Sequence, residues 1–256
     1  MHPLRRTMAF LGRRLGRPEL LAAVYAPARQ AQLEEVGIAA VLAAALGRDG
    51  TYVDVGTNRG QVLREAVRVA PNGRHIAFEP IAALAAEVRR SFPQVDCRGL
   101  AIGARREQAE FCHFRKLDGW SGLRRSREIS DERGDPEFIT VQVSTLDEEL
   151  DGVEPAVLKI DVEGAELEVL QGARGLLARA RPLIVFEHVL GAAALYGAPP
   201  AAPWDLLAEL GYEVFAVTGE GPIDRAAFAA NETVVNWLAR PVREPAPTPG
   251  PRSPSA

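Results

Sequence analysis

Apolar residues along the middle of the chain fall into short runs that alternate with stretches of helical spacing. TYVDV (51–55) is a β-branched run that stops at Gly56, and residues 60–70 then place Val62, Leu63, Ala66, Val67 and Ala70 on one helix face. RHIAF (74–78) reads as a second strand, and 81–92 as a second helix stopped by Pro93. VDCRGLAI (95–102), AVLKI (156–160) and LIVFE (183–187) read as the third, fourth and fifth strands. A long helix from Glu163 to about Ala180 joins the last two and ends at Pro182. YEVFAV (212–217) and TVVNWLA (233–239) are two further strands. Such alternation predicts an α/β fold, a doubly wound and mainly parallel sheet with helices on both faces.

Several segments lie outside that pattern. Residues 18–48 carry one or two N-terminal helices, and 1–17 form a basic lead expected to be flexible. Strand candidates at 110–114 and 138–143 flank a polar stretch, 115–137, that is long for a loop inside a compact domain and is therefore expected to be functional or disordered. From Pro241 onward six prolines fall within 16 residues, so 241–256 is expected to be a disordered tail. The folded domain is expected to span 49–240.

Composition narrows the class. The chain has 256 residues, 47% of them apolar and 25% charged, as in an ordinary globular protein. A formal charge of −4 and a pI near 5.7 disfavour a nucleic-acid partner held by bulk positive charge. No run of 18 uncharged apolar residues exists to make a transmembrane segment, and the apolar stretch Met8–Leu11 is too short for a signal-peptide core. Two cysteines, Cys97 and Cys112, cannot build a disulfide framework, and the expected location is cytoplasmic.

The chemistry concentrates at strand ends. VDVGTNRGQ (53–61) places Asp54, Gly56 and Gly60 where the first strand turns into its helix, and ligands of open parallel sheets bind beyond such C-terminal ends. The spacing is G-x-x-x-G, so the dinucleotide fingerprint G-x-G-x-x-G is absent. Glu79, 23 residues after Gly56, ends the second strand, where one carboxylate can accept both hydroxyls of a ribose. A glycine turn and a capping carboxylate could each be purely structural. Together they point to a cofactor containing a nucleoside.

VDVGTNRGQ, AFEP (77–80), LAIG (100–103), STLDEEL (144–150), LKIDVEGAELEVLQGA (158–173) and PLIVFEH (182–188) resemble the successive motifs of FkbM-type S-adenosylmethionine-dependent methyltransferases. The resemblance runs from about Tyr52 to Trp237, and LKIDVEGAE is its most specific part. It implies a seven-stranded Rossmann-like sheet with the last strand antiparallel, and methyl transfer, typically to an oxygen of a sugar or secondary metabolite. The partner it implies is a small-molecule or glycan acceptor. Asp54, Gly56, Asn58 and Gly60 would then surround the methionine portion of S-adenosyl-L-methionine, Glu79 its ribose, and Ala101 and Ile102 its adenine. Asp161 would stand closest to the sulfonium.

A methyl acceptor must also lose a proton. Asp161, Glu163, Glu187 and His188 sit at the ends of the fourth and fifth strands, and His188 has the ordinary pKa best suited to a general base. Asp161, Glu187 and His188 could alternatively hold a divalent ion, although nothing in their spacing demands one and none is assigned. In the polar insert, Trp120, Ser121 and Arg124 are candidates for substrate contact, an aromatic beside arginines being suited to a sugar and an anion. Glu166 and Glu168 read as solvated or first-turn helix residues, and Asp147 as the cap of the helix that follows it. The alternatives are a nicotinamide-dependent oxidoreductase, for which the glycine fingerprint is missing, and a non-catalytic binding member of the fold.

Overall fold

The computed structural model describes residues 18–114, 121–123 and 137–242. The basic lead, Trp120, Arg124, most of the polar insert and the residues after Val242 lie outside them. Ten strands are described: β1 (Tyr52–Val55), β2 (His75–Phe78), β3 (Asp96–Arg98), β4 (Ala101–Ile102), β5 (Glu107–His113), β6 (Glu137–Ser144), β7 (Val157–Ile160), β8 (Leu183–Glu187), β9 (Tyr212–Ala216) and β10 (Asn236–Pro241). Seven form one sheet in the order β3-β2-β1-β7-β8-β10-β9. All neighbours pair in parallel except β10, which is antiparallel to both β8 and β9. The chain changes direction across the sheet between β1 and β7, and there the helices leave to opposite sides and a crevice opens.

Strands β1, β2 and β7 are buried along their whole length, which explains their nearly unbroken apolar sequences. Their two faces meet different helices. Val53, Val55, Ile76, Phe78, Leu158 and Ile160 pack with α4 (Leu146–Glu149), α5 (Glu166–Gln171), α6 (Arg174–Ala180), α8 (Ala202–Glu209) and α9 (Arg225–Ala229). Tyr52, Ala77, Val157 and Val185 pack on the opposite face with α1 (Pro18–Ala45), α2 (Gln61–Val69) and α3 (Ala82–Ser91). A short α7 (Leu190–Ala194) follows β8. By the two-residue period of a strand, Asp54, Lys159 and Glu187 belong to the face that carries α1 and α2.

The structure departs from the sequence reading in four places. The expected strand 95–102 breaks after Arg98, and Ala101 and Ile102 pair instead with β6 in a second, three-stranded sheet, β4-β6-β5. There Ala101 joins Ile81, Leu84, Phe111, Val141 and Val143 in a separate apolar cluster. The expected helix 163–180 is two helices. Its break is set by Asp147, whose carboxylate accepts from Gly175 N (2.9 Å) and Leu176 N (2.7 Å) and so caps α6. The helix after Asp147 is capped by Thr145, whose hydroxyl accepts from Glu148 N at 3.2 Å. Pro241, expected in the tail, still pairs with Tyr212 as the last residue of β10, while the N-terminal segment is one helix, within the expectation of one or two.

Candidate active site

The end of β1 meets the end of β7 very closely. Asp161 N donates to Val55 O at 2.9 Å, and a Cβ on Gly56 would lie 1.8 Å from the Asp161 carbonyl oxygen. Gly56 also has φ = 81°, so a side chain is excluded on both counts. The turn continues through Asn58 at φ = 50°, whose N–H donates to Glu79 Oε2 at 2.9 Å. The other Glu79 oxygen accepts from Ile81 N, also at 2.9 Å. Glu79 is buried at the tip of β2.

Two clefts open on this turn. The first has about 720 Å³ of open space and is lined by Phe78, Glu79, Ile81, Ala101, Ile102 and Ser121, among others. The second has about 640 Å³ and is lined by Glu35, Asp54, Thr57, Gln61 and Lys159. Gly56, Asn58 and Asp161 border both. The candidates read from sequence therefore divide: Glu79, Ala101 and Ile102 on one side, Asp54 on the other, and Gly56, Asn58 and Asp161 at the junction. Gly60 lines neither; at φ = 76° it packs on Phe92 and precedes α2.

Charge in the junction is tightly arranged. Asp54 and Lys159 are register partners on adjacent strands, and Lys159 Nζ donates to Asp161 Oδ2 at 2.8 Å. Burial works against the Asp161 charge, but Lys159 and a hydrogen bond from Glu187 outweigh it and hold Asp161 below its ordinary pKa. Glu187 goes the other way: burial, then the Asp161 charge, keep it protonated well above the carboxylate range. Asp54 is raised chiefly by burial. Its Oδ2 accepts from Thr57 Oγ1 at 2.9 Å, and the buried Tyr52 hydroxyl also donates to the carboxylate. Carboxylate oxygens of Asp161, Glu163 and Glu187 lie within 4.8 Å of one another, an oxygen set that a divalent ion could also use.

His188 is elsewhere. Its ring stacks on Phe228 with centroids 4.9 Å apart and planes at 9°, and its Nε2 contacts Pro200 O at 3.1 Å. Phe228 belongs to the core face opposite Glu187, where it also meets Phe186 and Trp237. Adjacent residues at a strand end diverge, so one sequence dipeptide serves two faces. Ser121 does line the first cleft, but its hydroxyl already accepts from Phe114 N at 3.0 Å.

Two residues escaped the sequence reading. Glu166, read as a solvated or first-turn helix residue, does begin α5 but is buried, and its Oε1 accepts from Val162 N and Gly164 N, both at 3.1 Å, closing the loop that presents Asp161. Burial raises its pKa to about 7. Glu35 of α1 was not considered at all, since no motif marks it.

Residues 54–214 match the model of the methyltransferase FkbM domain. The chain belongs to the FkbM methyltransferase family. The FkbM match takes in the glycine turn, Glu79, β7 and β8 and leaves α1 and β10 outside it. A curated relative, the AMB antimetabolite synthetase AmbE of Pseudomonas aeruginosa, is 28% identical over 204 residues, which are 65% of this chain and 10% of the relative. The chain thus spans about a tenth of the length of that relative. Among solved structures, methyltransferase FkbM from Methylobacillus flagellatus KT aligns with a TM-score of 0.48 at 16% identity, over 76% of this chain and 44% of that one. A TehB-like SAM-dependent methyltransferase from Corynebacterium glutamicum aligns with a TM-score of 0.44 at 9% identity, over 81% and 88% of the two chains. Nothing in the FkbM site or in these comparisons favours the nicotinamide-dependent alternative.

Proposed function

We propose that this FkbM-family chain uses S-adenosylmethionine to methylate a hydroxyl oxygen on a sugar or secondary-metabolite acceptor. The observation that carries the reading is Glu79, a buried carboxylate at the tip of β2 that lines the same cleft as Ala101, Ile102 and Asp161. A nucleoside fits that set. Glu79 accepts from the ribose hydroxyls, while Ile81, Ala101 and Ile102 offer an apolar wall for adenine. Asp54, Gly56 and Asn58 hold the methionine end, Gly60 shapes the turn, and Asp161 faces the cationic centre. The ionised Asp161, with Asp54 across the same turn, suits a ligand that carries positive charge. A synthetase of an antimetabolite among the relatives supports a secondary-metabolite acceptor.

Bound S-adenosylmethionine supplies an electrophilic methyl group, and the protein's part is alignment and proton handling. Asp161 is the acceptor's proton partner in this scheme. Its low pKa makes it a weak base, yet an alcohol oxygen becomes strongly acidic as it gains a third bond, so a weak base in contact is enough. Glu187, already protonated, orients Asp161 by donating to it, and Lys159 donates to Asp161 Oδ2. His188, packed on Phe228, supports the fold instead. Contact of Trp120 and Arg124 with the acceptor is inferred from their sequence proximity to Ser121. Incubation with methyl-labelled S-adenosylmethionine and a panel of hydroxylated sugars and metabolites, followed by mass spectrometry, tests the proposal. Label on an oxygen is the expected result; label only on nitrogen or carbon would overturn it.

A further inference from the structure

A third cleft, with about 570 Å³ of open space, lies between the residues that follow β8 and those that precede β10. Neither the cofactor nor the proton scheme uses it. Val189, Leu190, Val234 and Val235 give it an aliphatic lining. Val189 is 39% exposed and the other three are half-buried, so a concave apolar surface faces water. The polar groups of the wall are mostly engaged. Asn231 Nδ2 donates to Val234 O at 2.7 Å and its Oδ1 accepts from Val234 N at 3.0 Å, which closes the loop into β10. His188 contacts Pro200 O through Nε2, and burial holds its ring below the ordinary pKa. Glu232 is exposed in the lining, and no lysine or arginine joins it among the described residues.

This cleft is continuous with the catalytic crevice in two ways. Glu187 pairs with Asn236, and on the next rung outward His188 N donates to Val235 O at 2.9 Å. Ile160 pairs with Phe186, so the same register carries Asp161 level with Glu187. The wall on the β10 side is therefore two strand spacings from Asp161, about 10 Å. The loop that presents Asp161 also touches the other wall. Gly164 in that loop has φ = 107° and presses on α7 so closely that a Cβ there would lie 2.6 Å from Ala192 O. Helix α7, which supplies Leu190 to the cleft, is thus seated on the catalytic loop.

We infer that the third cleft is an acceptor subsite, which takes an aliphatic or aromatic substituent of the molecule whose hydroxyl is methylated at Asp161. The inference rests on the methyl-transfer reading above and narrows its acceptor class. At the end that enters the cleft the acceptor is not anionic, because a phosphate, sulfate or carboxylate would meet Glu232 with no cation to offset it. A span of about 10 Å exceeds one sugar ring. The acceptor is therefore a glycoside, or a metabolite of similar length, that carries an apolar group, and not a free monosaccharide.

Methyl-labelled NMR of the full chain with S-adenosylhomocysteine present tests the subsite with three probes: phenyl β-D-glucopyranoside, its 4-carboxyphenyl analogue and D-glucose. The phenyl glucoside should shift the methyl signals of Val189, Leu190, Val234 and Val235, and the other two at the same concentration should not. Val189→Asp should weaken the phenyl glucoside at least about tenfold, since a carboxylate must then be desolvated against the ring. Calorimetry with S-adenosylhomocysteine should give that variant the wild-type affinity. No shift of these methyls by the phenyl glucoside while S-adenosylhomocysteine binds, or equal shifts by all three probes, would overturn the subsite and leave the cofactor reading intact. Movement of the same signals with protein concentration alone would assign the cleft to a second copy of the chain, and would overturn it too. Failure of S-adenosylhomocysteine to bind wild-type protein would remove the methyl-transfer reading and this inference with it.

Discussion

Replacing Glu187 by glutamine should stabilise the protein, and by more at higher pH. Glu187 is held protonated by burial and by the neighbouring charge of Asp161. The folded state therefore binds a proton that the unfolded chain releases above a pKa of about 4.3. Stability contributed by this group is greatest at low pH and falls as pH rises from that value toward the raised folded one. Each unit of pH over which the proton is retained costs about 1.4 kcal/mol, so at pH 7 the ceiling is about 3.7 kcal/mol. Glu187 is only half-buried, and its partial exposure to solvent lowers that ceiling, so about 1–3 kcal/mol is expected. Glutamine keeps a donor for Asp161 and never ionises. Urea unfolding of wild type and Glu187→Gln at pH 5, 6, 7 and 8 should show the variant gaining steadily on wild type. A difference that stays flat with pH, or that turns against the variant as pH rises, would refute the protonated pairing with Asp161.

His188→Phe should retain turnover within about threefold, because the ring packs on Phe228 away from the cleft; a hundredfold loss would restore His188 as general base. Asp147→Ala should lower unfolding free energy by about 1–2 kcal/mol in a denaturant melt, since Gly175 N and Leu176 N both lose their cap. Methyl transfer should survive exhaustive chelation, with Lys159 and the Glu187 proton balancing Asp161; activity that is lost with chelator and restored by a divalent ion would assign the Asp161, Glu163 and Glu187 oxygens to a cation.

Much of the sheet was readable because its central strands are buried on both faces, which leaves an unmistakable run of apolar residues such as VLKI around a single charge. Asp54, Gly56, Glu79 and Asp161 could be placed along the fold for a related reason. They end those strands, and strand ends can be counted. What could not be read depends on distance along the chain. Asp147 caps a helix through Gly175 N, 28 residues later, and no local spacing reports that. The break after Arg98 follows from pairing with β6, about 40 residues away in sequence. Glu187 and His188 both read as candidates for the proton acceptor because adjacency in sequence hides the two faces they serve. Glu166 reads as a surface helix residue until the loop from Val162 to Gly164 is seen to fold onto it. Glu35 belongs to an ordinary helix, and only the packing of Glu34 and Gly37 shows which way that helix faces.

The central claim is that the cleft beside Glu79 binds the nucleoside of S-adenosylmethionine. Calorimetric titration of S-adenosylhomocysteine into wild type and Glu79→Ala tests it most directly. Losing a carboxylate that accepts from ribose hydroxyls removes charged hydrogen bonds of about 1.5–3 kcal/mol, which is at least about tenfold in affinity. Glu79 also accepts from Asn58 N and Ile81 N, so the variant must first be shown to be folded by circular dichroism and a cooperative melt. One-to-one binding to wild type, weakened at least tenfold in folded Glu79→Ala, is the predicted result. No binding to wild type, or the same affinity in both proteins, would contradict it.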